Sequence, residues 1–310
     1  MDILRTALAR RRQLVLLGVL ALGLVPGALP VSAAVSYPRT APMVLQNVPI
    51  EDLQANRNGI CTYARAGRFT HVIKNTSGPL GAKAYLNASA ACGLKVIFHF
   101  SATVSGGTVY PSRVAYWVGV VKGHPALYGY LSVKEPSWIG INATEIRSLY
   151  SAFKKADPYR PVIALFGDVP HFGQSVNPYT AGMADIVMVD WYPVETYNKG
   201  CSTSGSVYLG GASTWFPKVR SIVATKTPGR PIWLMVQTHK YLKPTCHKKQ
   251  RPTQSQLYRQ VREGFAYLRA RGVAFHVWSN PNYNIDERRD PTMVSWMAGL
   301  AAKVRAGTFQ

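Results

Sequence analysis

Three carboxylates in this chain stand where a β-rich apolar segment ends: Glu135, Asp168 and Asp190. Two carboxylic acids held at different pKa values can act as general acid and general base on one bond. Any one of the three fits equally well as a turn or helix-capping residue. Asp168 follows a glycine and is followed by Val169-Pro170, which favours a turn, so we interpret it as mainly structural. Glu135 and Asp190 remain as the candidate catalytic pair.

The other residue types that carry chemistry form no signature. The seven histidines show no His-x-His or His-Glu-x-x-His spacing, and no phosphate-binding glycine loop, nucleotide fingerprint or Gly-x-Ser-x-Gly elbow is present. The sequence therefore predicts no metal and no cofactor. His71, His99 and His276 lie on or beside predicted strands and are interpreted as interior or rim residues, whereas His239 is kept as a possible substrate contact.

The elements that must position the pair are strands that alternate with helices. Short β-rich runs are separated by stretches whose apolar residues recur every three and four positions, which is typical of parallel strands with crossover helices. Eight strands are predicted. They are 43–48, 69–73, 95–98, 127–131, 161–166, 186–190, 232–237 and 273–278.

Eight such units favour a closed (β/α)8 barrel, also called a TIM barrel, over the alternative of an open doubly wound sheet. Without any compositional break, residues 35–310 are predicted to form one α/β domain. Asn142 with Glu145 predicts a capping box at the start of one helix, and Gly272 is expected to end another. Active sites of such barrels form at the C-terminal ends of the strands, where Glu135 and Asp190 lie.

Four segments resemble the (β/α)8 glycoside hydrolases. In that family strand 4 ends in Asn/Asp-Glu-Pro and its Glu is the general acid/base; here the strand ends in Lys134-Glu135-Pro136. Strand 6 is similar over residues 184–193, strand 7 over 230–237, and strand 8 over 275–279, ending in a Trp that faces substrate. The segments occur in the order of the family, which implies a carbohydrate-acting barrel.

Two departures limit what the resemblance implies. Position 134 is Lys where the family has Asn or Asp, and strand 7 ends in Gln237 where members that form a covalent intermediate carry a nucleophilic Glu. An amide cannot be that nucleophile. Strands are about 4.8 Å apart, so the ends of strands 4 and 6 start roughly 10 Å apart, which fits the wide carboxylate gap of inverting enzymes better than the short gap of retaining ones. Glu135 is thus predicted to be the general acid, and Asp190 the base or a substrate-orienting residue.

Aromatic residues near the strand ends complete the predicted site. Trp138, Trp191 and Trp278 can give the acid apolar surroundings, and flat rings can stack on sugars. The residues expected to contact substrate are Trp278, Tyr192, Gln237, His239 and Trp191. Trp117 and Trp215 are expected in the core. Because successive residues of an extended strand point to opposite sides, Lys134 is expected to face away from Glu135.

The first 34 residues are predicted to be a secretory signal peptide. Arg5 and Arg10 to Arg12 precede an apolar run from Leu14 to Val25, which is followed by Pro30 and a small-residue site at Val31-Ser32-Ala33. Arg11-Arg12 also permits twin-arginine export. The apolar run is too short for a membrane span, which needs roughly 17 to 25 residues. A protein secreted or held in the cell envelope, with no stable membrane insertion, is expected.

An exported chain favours disulfides, and the four cysteines permit three pairings. The barrel arrangement favours one of them. Cys61 and Cys92 fall in successive helical segments, and Cys201 and Cys246 follow strands 6 and 7, so we predict 61 with 92 and 201 with 246.

The chain has 36 basic and 14 acidic residues, a formal charge of +22, which falls to +19 without the four arginines and one aspartate of the first 34 residues. The basic residues Lys240, Lys243, Lys248, Lys249 and Arg251 follow strand 7, favouring an anionic glycan; a merely solvated loop is the alternative. Nucleic acid is not expected, because no recognition motif accompanies the charge. A monomer acting on polysaccharide is predicted.

Two other functions remain open. A non-catalytic carbohydrate-binding barrel that has lost its nucleophile accounts for Lys134 and Gln237. An enzyme acting on phosphodiesters through the basic loop lacks a visible metal-ligand cluster.

Overall fold

The computed structural model describes residues 38–196, 207–239, 241–242, 248–276, 278–280, 285–286 and 290–309. The predicted signal peptide and the predicted 201–246 disulfide lie outside these residues. Within them, no helix is both long and apolar enough to cross a membrane.

Eight parallel strands close a single barrel in the order β1-β8-β7-β6-β5-β4-β3-β2, so strands consecutive in the chain are neighbours. This confirms the predicted (β/α)8 barrel. The strands are β1 Met43–Gln46, β2 His71–Thr76, β3 Lys95–Phe100, β4 Leu127–Lys134, β5 Val162–Phe166, β6 Ile186–Trp191, β7 Ile232–Gln237 and β8 Gly272–His276.

The strands read as apolar runs because both of their faces are buried. Alternate residues fill the barrel interior, among them Val44, Ile97, Ile163, Met188 and Met235. The residues between them pack outward against the helices in a second, larger cluster. The interior is therefore a packed core, and its residues at the C-terminal ends of the strands form the floor of any site there.

Helices cover the outside of the barrel. They are α1 Ile50–Gln54, α2 Ile60–Arg65, α3 Ala82–Ala91, α4 Pro111–Val121, α5 Pro136–Ile139, α6 Ala143–Ala156, α7 Ala212–Lys226, α8 Gln254–Glu263 and α9 Pro291–Ala306. Asn142 caps α6 through the predicted capping box, since its side chain accepts from the Glu145 N–H and Glu145 accepts from the Asn142 N–H.

The end of α8 differs from the prediction. The helix continues as a π-helical turn over 264–268, and Arg269, with φ 59°, ends it in the left-handed conformation. Gly272 is instead the first residue of β8, where a Cβ atom would come within 2.8 Å of the Trp233 ring. The glycine is thus needed for close packing beneath Trp233, not for stopping the helix.

One disulfide is described, between Cys61 in α2 and Cys92 at the end of α3, as predicted. It ties together two helical segments on the outside of the barrel. Short antiparallel strands extend the loops that follow the barrel strands. They pair 104–105 with 108–109, 279–280 with 285–286, and 194–196, 207–208, 241–242 and 248–249 in one small sheet. All of these loops rise from the C-terminal end of the barrel.

Candidate active site

Glu135 stands at a break in the backbone. It follows the last residue of β4, adopts a left-handed conformation with φ 50° and ψ 61°, and precedes the short helix α5. Its backbone N–H still donates to the Leu165 carbonyl of β5, at 2.7 Å. A positive φ at a non-glycine residue is uncommon and costs free energy, and such residues cluster at functional sites.

This break changes where Glu135 points relative to Lys134. Side chains alternate only while a strand stays extended, and Glu135 leaves the extended conformation. Lys134 Nζ therefore lies 3.6 Å from Glu135 Oε2, so the two side chains share one side of the strand. The expectation that Lys134 faces away from Glu135 was wrong for this reason.

Asp190 reaches the same place from β6. It lies two residues after Met188, which fills the barrel interior, so the Asp190 side chain is on the inner face as well. Gly167, which follows β5, lies between the two acids. A Cβ atom at Gly167 would come within 3.3 Å of both Glu135 Oε1 and Asp190 Oδ1, so the absence of a side chain there leaves room for both carboxyl groups.

The two carboxyl groups, named here the carboxyl pair, lie side by side over Gly167 and interact electrostatically. The wide separation predicted from strand spacing is therefore wrong. Strand spacing measures the distance between backbones, whereas both side chains lean inward over Gly167 and meet. Carboxyl groups that lie side by side do not support the wide gap of an inverting mechanism.

Burial raises the pKa of Asp190 well above its usual range, and the charge of Glu135 raises this pKa further. The charge of Lys134 and the nearby Tyr192 hydroxyl act in the opposite direction. Asp190 is 6% exposed, whereas the Glu135 side chain is 25% exposed. Two carboxyl groups in contact cannot easily both ionise, so the pair tends to hold one proton between them.

Histidines and Tyr192 surround the carboxyl pair. The Tyr192 ring stacks on His276 at 5.1 Å between centroids and meets the edge of His239 at 5.3 Å. His239 and His276 also approach each other, with 3.3 Å between their Nδ1 atoms. Of the predicted substrate contacts, Tyr192 and His239 are thus brought close to the pair.

His99 and His276 are site residues that sequence reasoning treated only as interior histidines. Burial and the charge of Lys134 lower the pKa of His99 to about 3. Burial and the charges of Lys134 and His239 lower the pKa of His276 well below its usual range. The alternation of side chains along a strand could have identified both histidines as site residues. His99 lies two residues after Ile97 and His276 two residues after Ala274, and both of these apolar residues fill the barrel interior.

Gln237 is fully buried, and its amide is occupied by backbone groups. The side chain accepts from the Val194 N–H and donates to the carbonyls of Val194, Gln250 and His239. It therefore joins the loop after β6 to the loop after β7. In this structure Gln237 offers no free group to a substrate.

Two predicted aromatic contacts lie away from the pair. Trp278 is 1% exposed and donates its indole N–H to Asp52, at 2.7 Å, so neither face of its ring is open. Trp191 follows Asp190 on an extended strand, points outward, and packs edge-on against Phe216 of α7. Trp117 is buried in the core, as expected.

A different tryptophan is open to solvent. Trp138 lies on α5, three residues after Glu135, and is 71% exposed. Its backbone N–H donates to the Glu135 carbonyl, at 3.0 Å. Ile139 beside it is also exposed. Asp168, for comparison, accepts from His171 within its own turn, which agrees with a structural role. Across the described ranges, no three His, Cys, Asp or Glu side chains converge as metal ligands would.

No protein-family model matches the chain, and no curated protein matches it by sequence. Solved structures do match in fold. A GH5_18 variant from Streptomyces cattleya, in complex with Manβ1-4GlcNAc, has a TM-score of 0.56 at 11% identity, over 86% of this chain and 81% of its own. The fold is shared with glycoside hydrolase barrels.

Two further structures agree. A putative α-L-fucosidase from Bacteroides thetaiotaomicron has a TM-score of 0.55 at 12% identity and covers 94% of this chain and 99% of its own. A β-galactosidase from Halorubrum lacusprofundi has a TM-score of 0.59 at 11% identity, over 85% of this chain but 58% of its own. At these identities the likeness shows the barrel fold and not the reaction.

Proposed function

We propose that the protein is an exported glycoside hydrolase-like barrel that cleaves an extracellular or cell-envelope polysaccharide. In this proposal Glu135 and Asp190 are the catalytic residues. The observation that carries the proposal is that the carboxyl pair lies side by side over Gly167, at the C-terminal ends of β4 and β6. The fold shared with glycoside hydrolases supports carbohydrate as the substrate class.

In this proposal Glu135 is the residue that touches the glycosidic oxygen, because its side chain is the more exposed of the two. Asp190 is the second carboxylate, and its pKa is raised by burial and by the charge of Glu135. Protonation of the leaving oxygen by a positioned acid accelerates such reactions typically 10²- to 10⁴-fold. Gln237 takes no nucleophilic part, since its amide is fully engaged.

Trp138 is the proposed platform for a sugar ring, in place of Trp278 and Trp191. It is exposed and adjoins Glu135, whereas Trp278 is buried and Trp191 points outward against Phe216. Tyr192 and His239 remain the proposed polar contacts, because Tyr192 lies beside Asp190 and the His239 ring packs against Tyr192. A stacked ring on Trp138 would bring its glycosidic bond towards Glu135.

The anionic character of the glycan is also a proposal. Lys240 and Lys243 of the basic loop lie outside the described residues, and Arg251 pairs with Asp290. The described surface instead offers a groove of about 650 Å³, named here the α8–α9 groove. It is lined by Tyr208, Gln254, Ser255, Gln256, Tyr258, Arg259, Arg262 and Lys303. Arg259 pairs with Glu263, but the positive charge of Arg262 and Lys303 along the same groove favours a carboxylated polysaccharide.

The alternative function is a non-catalytic carbohydrate-binding barrel. Two observations favour it: Gln237 is committed to backbone hydrogen bonds, and the Lys134 ammonium pairs with Glu135, which opposes its protonation. A binding protein would keep the barrel and Trp138 but show no turnover.

One experiment separates the two functions. The protein is incubated with mannan, galactan, fucosylated glycans and polygalacturonate, and new reducing ends are counted. We expect Glu135→Gln and Asp190→Asn to reduce the rate by 100-fold or more, whereas the matched control Asp168→Asn, at the end of β5, keeps it. Full activity in Glu135→Gln with intact folding contradicts the proposal, and glycan binding without any turnover in the wild type selects the alternative.

A further inference from the structure

We infer that the hairpin 104–109, which follows β3, positions the Trp138 platform by holding the end of α5, and that Gly107 in its turn is the positioning residue. The contact that points to this role is the close packing of Gly107 on the Ile139 carbonyl, one residue beyond Trp138. The inference rests on the proposed function only for its consequence in glycan binding.

The hairpin is fastened to the barrel at its base. Its two short strands pair antiparallel, and the Tyr110 N–H donates to the Thr103 carbonyl, at 2.7 Å. From α4, Arg113 donates to the Ala102 carbonyl, also at 2.7 Å, and its guanidinium group lies 4.0 Å from the centre of the Tyr110 ring. These contacts give the turn of the hairpin a defined place above the barrel.

The turn of the hairpin packs against the end of α5. A Cβ atom at Gly107 would lie 2.9 Å from the Ile139 carbonyl oxygen, so only a glycine permits this approach. The preceding residue, Gly106, also has a positive φ, 56° against 75° for Gly107. Around the Cβ position of Gly106, no atom of the described residues lies within 4 Å. The two glycines therefore share a backbone requirement, but only Gly107 makes the contact.

Helix α5 needs such a contact because it is a single turn. A helix of four residues forms few backbone hydrogen bonds of its own and is not stable by itself. Its start is tied to Glu135, whose carbonyl accepts from the Trp138 N–H and whose N–H donates to Leu165. Trp138 is 71% exposed, so burial of its own side chain fixes it only weakly. Its position therefore depends on the two ends of α5.

The consequence for function differs between the two ends. In the proposed function a sugar ring stacks on Trp138 and its glycosidic bond lies at Glu135. The hairpin supports the end of α5 that lies farther from Glu135, so its displacement moves the platform more than the acid. Loss of the hairpin contact should thus weaken glycan binding and leave the rate of cleavage in the bound complex nearly unchanged.

The test compares Gly107→Ala with its matched control Gly106→Ala. Each variant puts a Cβ atom on a residue with positive φ, so the cost in backbone strain is similar. The first readout is the ¹⁵N NMR resonance of the Trp138 indole N–H, assigned with Trp138→Phe. We expect this resonance to shift in Gly107→Ala and to stay at its wild-type position in Gly106→Ala.

The second readout is the KM for the polymer that the wild type cleaves among mannan, galactan, fucosylated glycans and polygalacturonate. In Gly107→Ala the KM should rise about five- to ten-fold, while kcat changes less than about two-fold. Gly106→Ala should keep both values. If the wild type binds one of these polymers without cleaving it, the dissociation constant replaces the KM and the same loss is expected.

Three outcomes overturn the inference. The Trp138 resonance could stay in place in Gly107→Ala, or it could move equally in Gly106→Ala. A fall in kcat at constant KM would show that the hairpin acts through Glu135 and not through the platform.

Arg113→Met replaces Gly107→Ala if that variant does not fold. It removes the hydrogen bond to the Ala102 carbonyl at the base of the hairpin and should move the same resonance. The resonance needs no substrate, so a protein that cleaves no glycan still gives a clear result. Full activity in Glu135→Gln would contradict the proposed catalytic role without touching this inference.

Discussion

The C-terminal ends of β4 and β6 differ in kind from those of β7 and β8. At the first two, Glu135 adopts a left-handed conformation and meets Asp190, whose pKa is raised by burial and by that contact. At the last two, Gln237 gives its whole amide to backbone partners, and Trp278 donates to Asp52. All four residues are at least partly buried. Only Glu135 and Asp190 are in an unfavourable state, because Glu135 has a left-handed backbone and Asp190 is a buried carboxyl group beside another one.

The difference separates groups that stabilise the fold from groups that can do chemistry. A buried polar side chain with every partner present contributes to stability, and removing it leaves other buried groups unpaired. A carboxyl group held beside another one costs stability, and such costs are typical of functional sites. Substitutions at the two pairs of strand ends should therefore change stability in opposite directions.

The largest change in the free energy of unfolding is expected for a substitution of Gln237, at the end of β7. Gln237→Ala leaves the Val194 N–H and the Gln250 carbonyl without this partner, whereas the Val194 carbonyl keeps the Gln250 N–H. At about 1–3 kcal/mol for each unsatisfied buried group, partly relieved by relaxation, the free energy of unfolding should fall by about 2–4 kcal/mol. Urea unfolding measures this, with Gln254→Ala at the exposed start of α8 as the control. A loss below about 1 kcal/mol would show that these loops are not held by Gln237.

The next largest effect is a pH dependence of stability that comes from two histidines at different heights in the barrel, His71 and His99. Burial is the main cause that lowers the pKa of His71 to about 4 and of His99 to about 3, from 6.5. Below pH 6.5 the unfolded chain binds protons that the folded chain does not. Stability should thus fall as the pH drops from 6.5 to 4, by up to about 1.4 kcal/mol per pH unit for each histidine.

Unfolding measured between pH 4 and 7 checks this. His71→Asn and His99→Asn should each flatten the pH dependence. Only His99 lies near Lys134, so only its variant should also disturb the carboxyl pair. Slopes identical to that of the wild type in both variants would contradict the assigned burial effect.

The barrel was predictable from the sequence because strand and helix periods repeat eight times, so an error in one strand leaves the count intact. The capping box at Asn142 and the pairing of Cys61 with Cys92 were predictable for a similar reason, since each depends on local spacing or on the barrel order. Strand ends shifted by one to three residues, as the last residues of a strand carry the weakest pattern.

The site was predictable only in its two acids. The approach of Glu135 to Asp190 and to Lys134 depends on the positive φ at Glu135 and on a shift of register in β4 between Leu131 and Val133, which no residue pattern announces. Trp278 looked available because it ends a strand, but its indole N–H finds the buried Asp52, a residue 226 positions away in the chain. Long-range partners of this kind lie beyond what local spacing encodes.

A smaller effect of opposite sign, an increase in the free energy of unfolding, is expected for a substitution of Asp190 in β6. Since the folded pKa of Asp190 is raised, the folded chain binds more protons than the unfolded one above pH 3.8, and stability falls as the pH rises through this range. Asp190→Asn should therefore raise the free energy of unfolding by about 1–2 kcal/mol at pH 8, and by less at pH 4.

The control for that variant is Asp185, just before the same strand. Its pKa is lowered because, although burial alone would raise it, the Val162 N–H, Lys154 and Tyr150 hydrogen bond to it. Asp185→Asn should lose stability at pH 7 and lose less as the pH falls towards 3. Thermal unfolding of both variants at several pH values tests the pair, and a loss of stability in Asp190→Asn at pH 8 would contradict the predicted strain.

The smallest effect on stability is expected in the α8–α9 groove. Arg262 and Lys303 are exposed, so Arg262→Gln with Lys303→Gln should change the free energy of unfolding by less than about 0.5 kcal/mol. Binding of polygalacturonate at low salt should nevertheless weaken by about five- to ten-fold, because two of the three groove cations are gone. Lys155→Gln with Lys226→Gln removes the same charge from α6 and α7. Equal weakening in that control would show that net charge, and not the groove, attracts the polyanion.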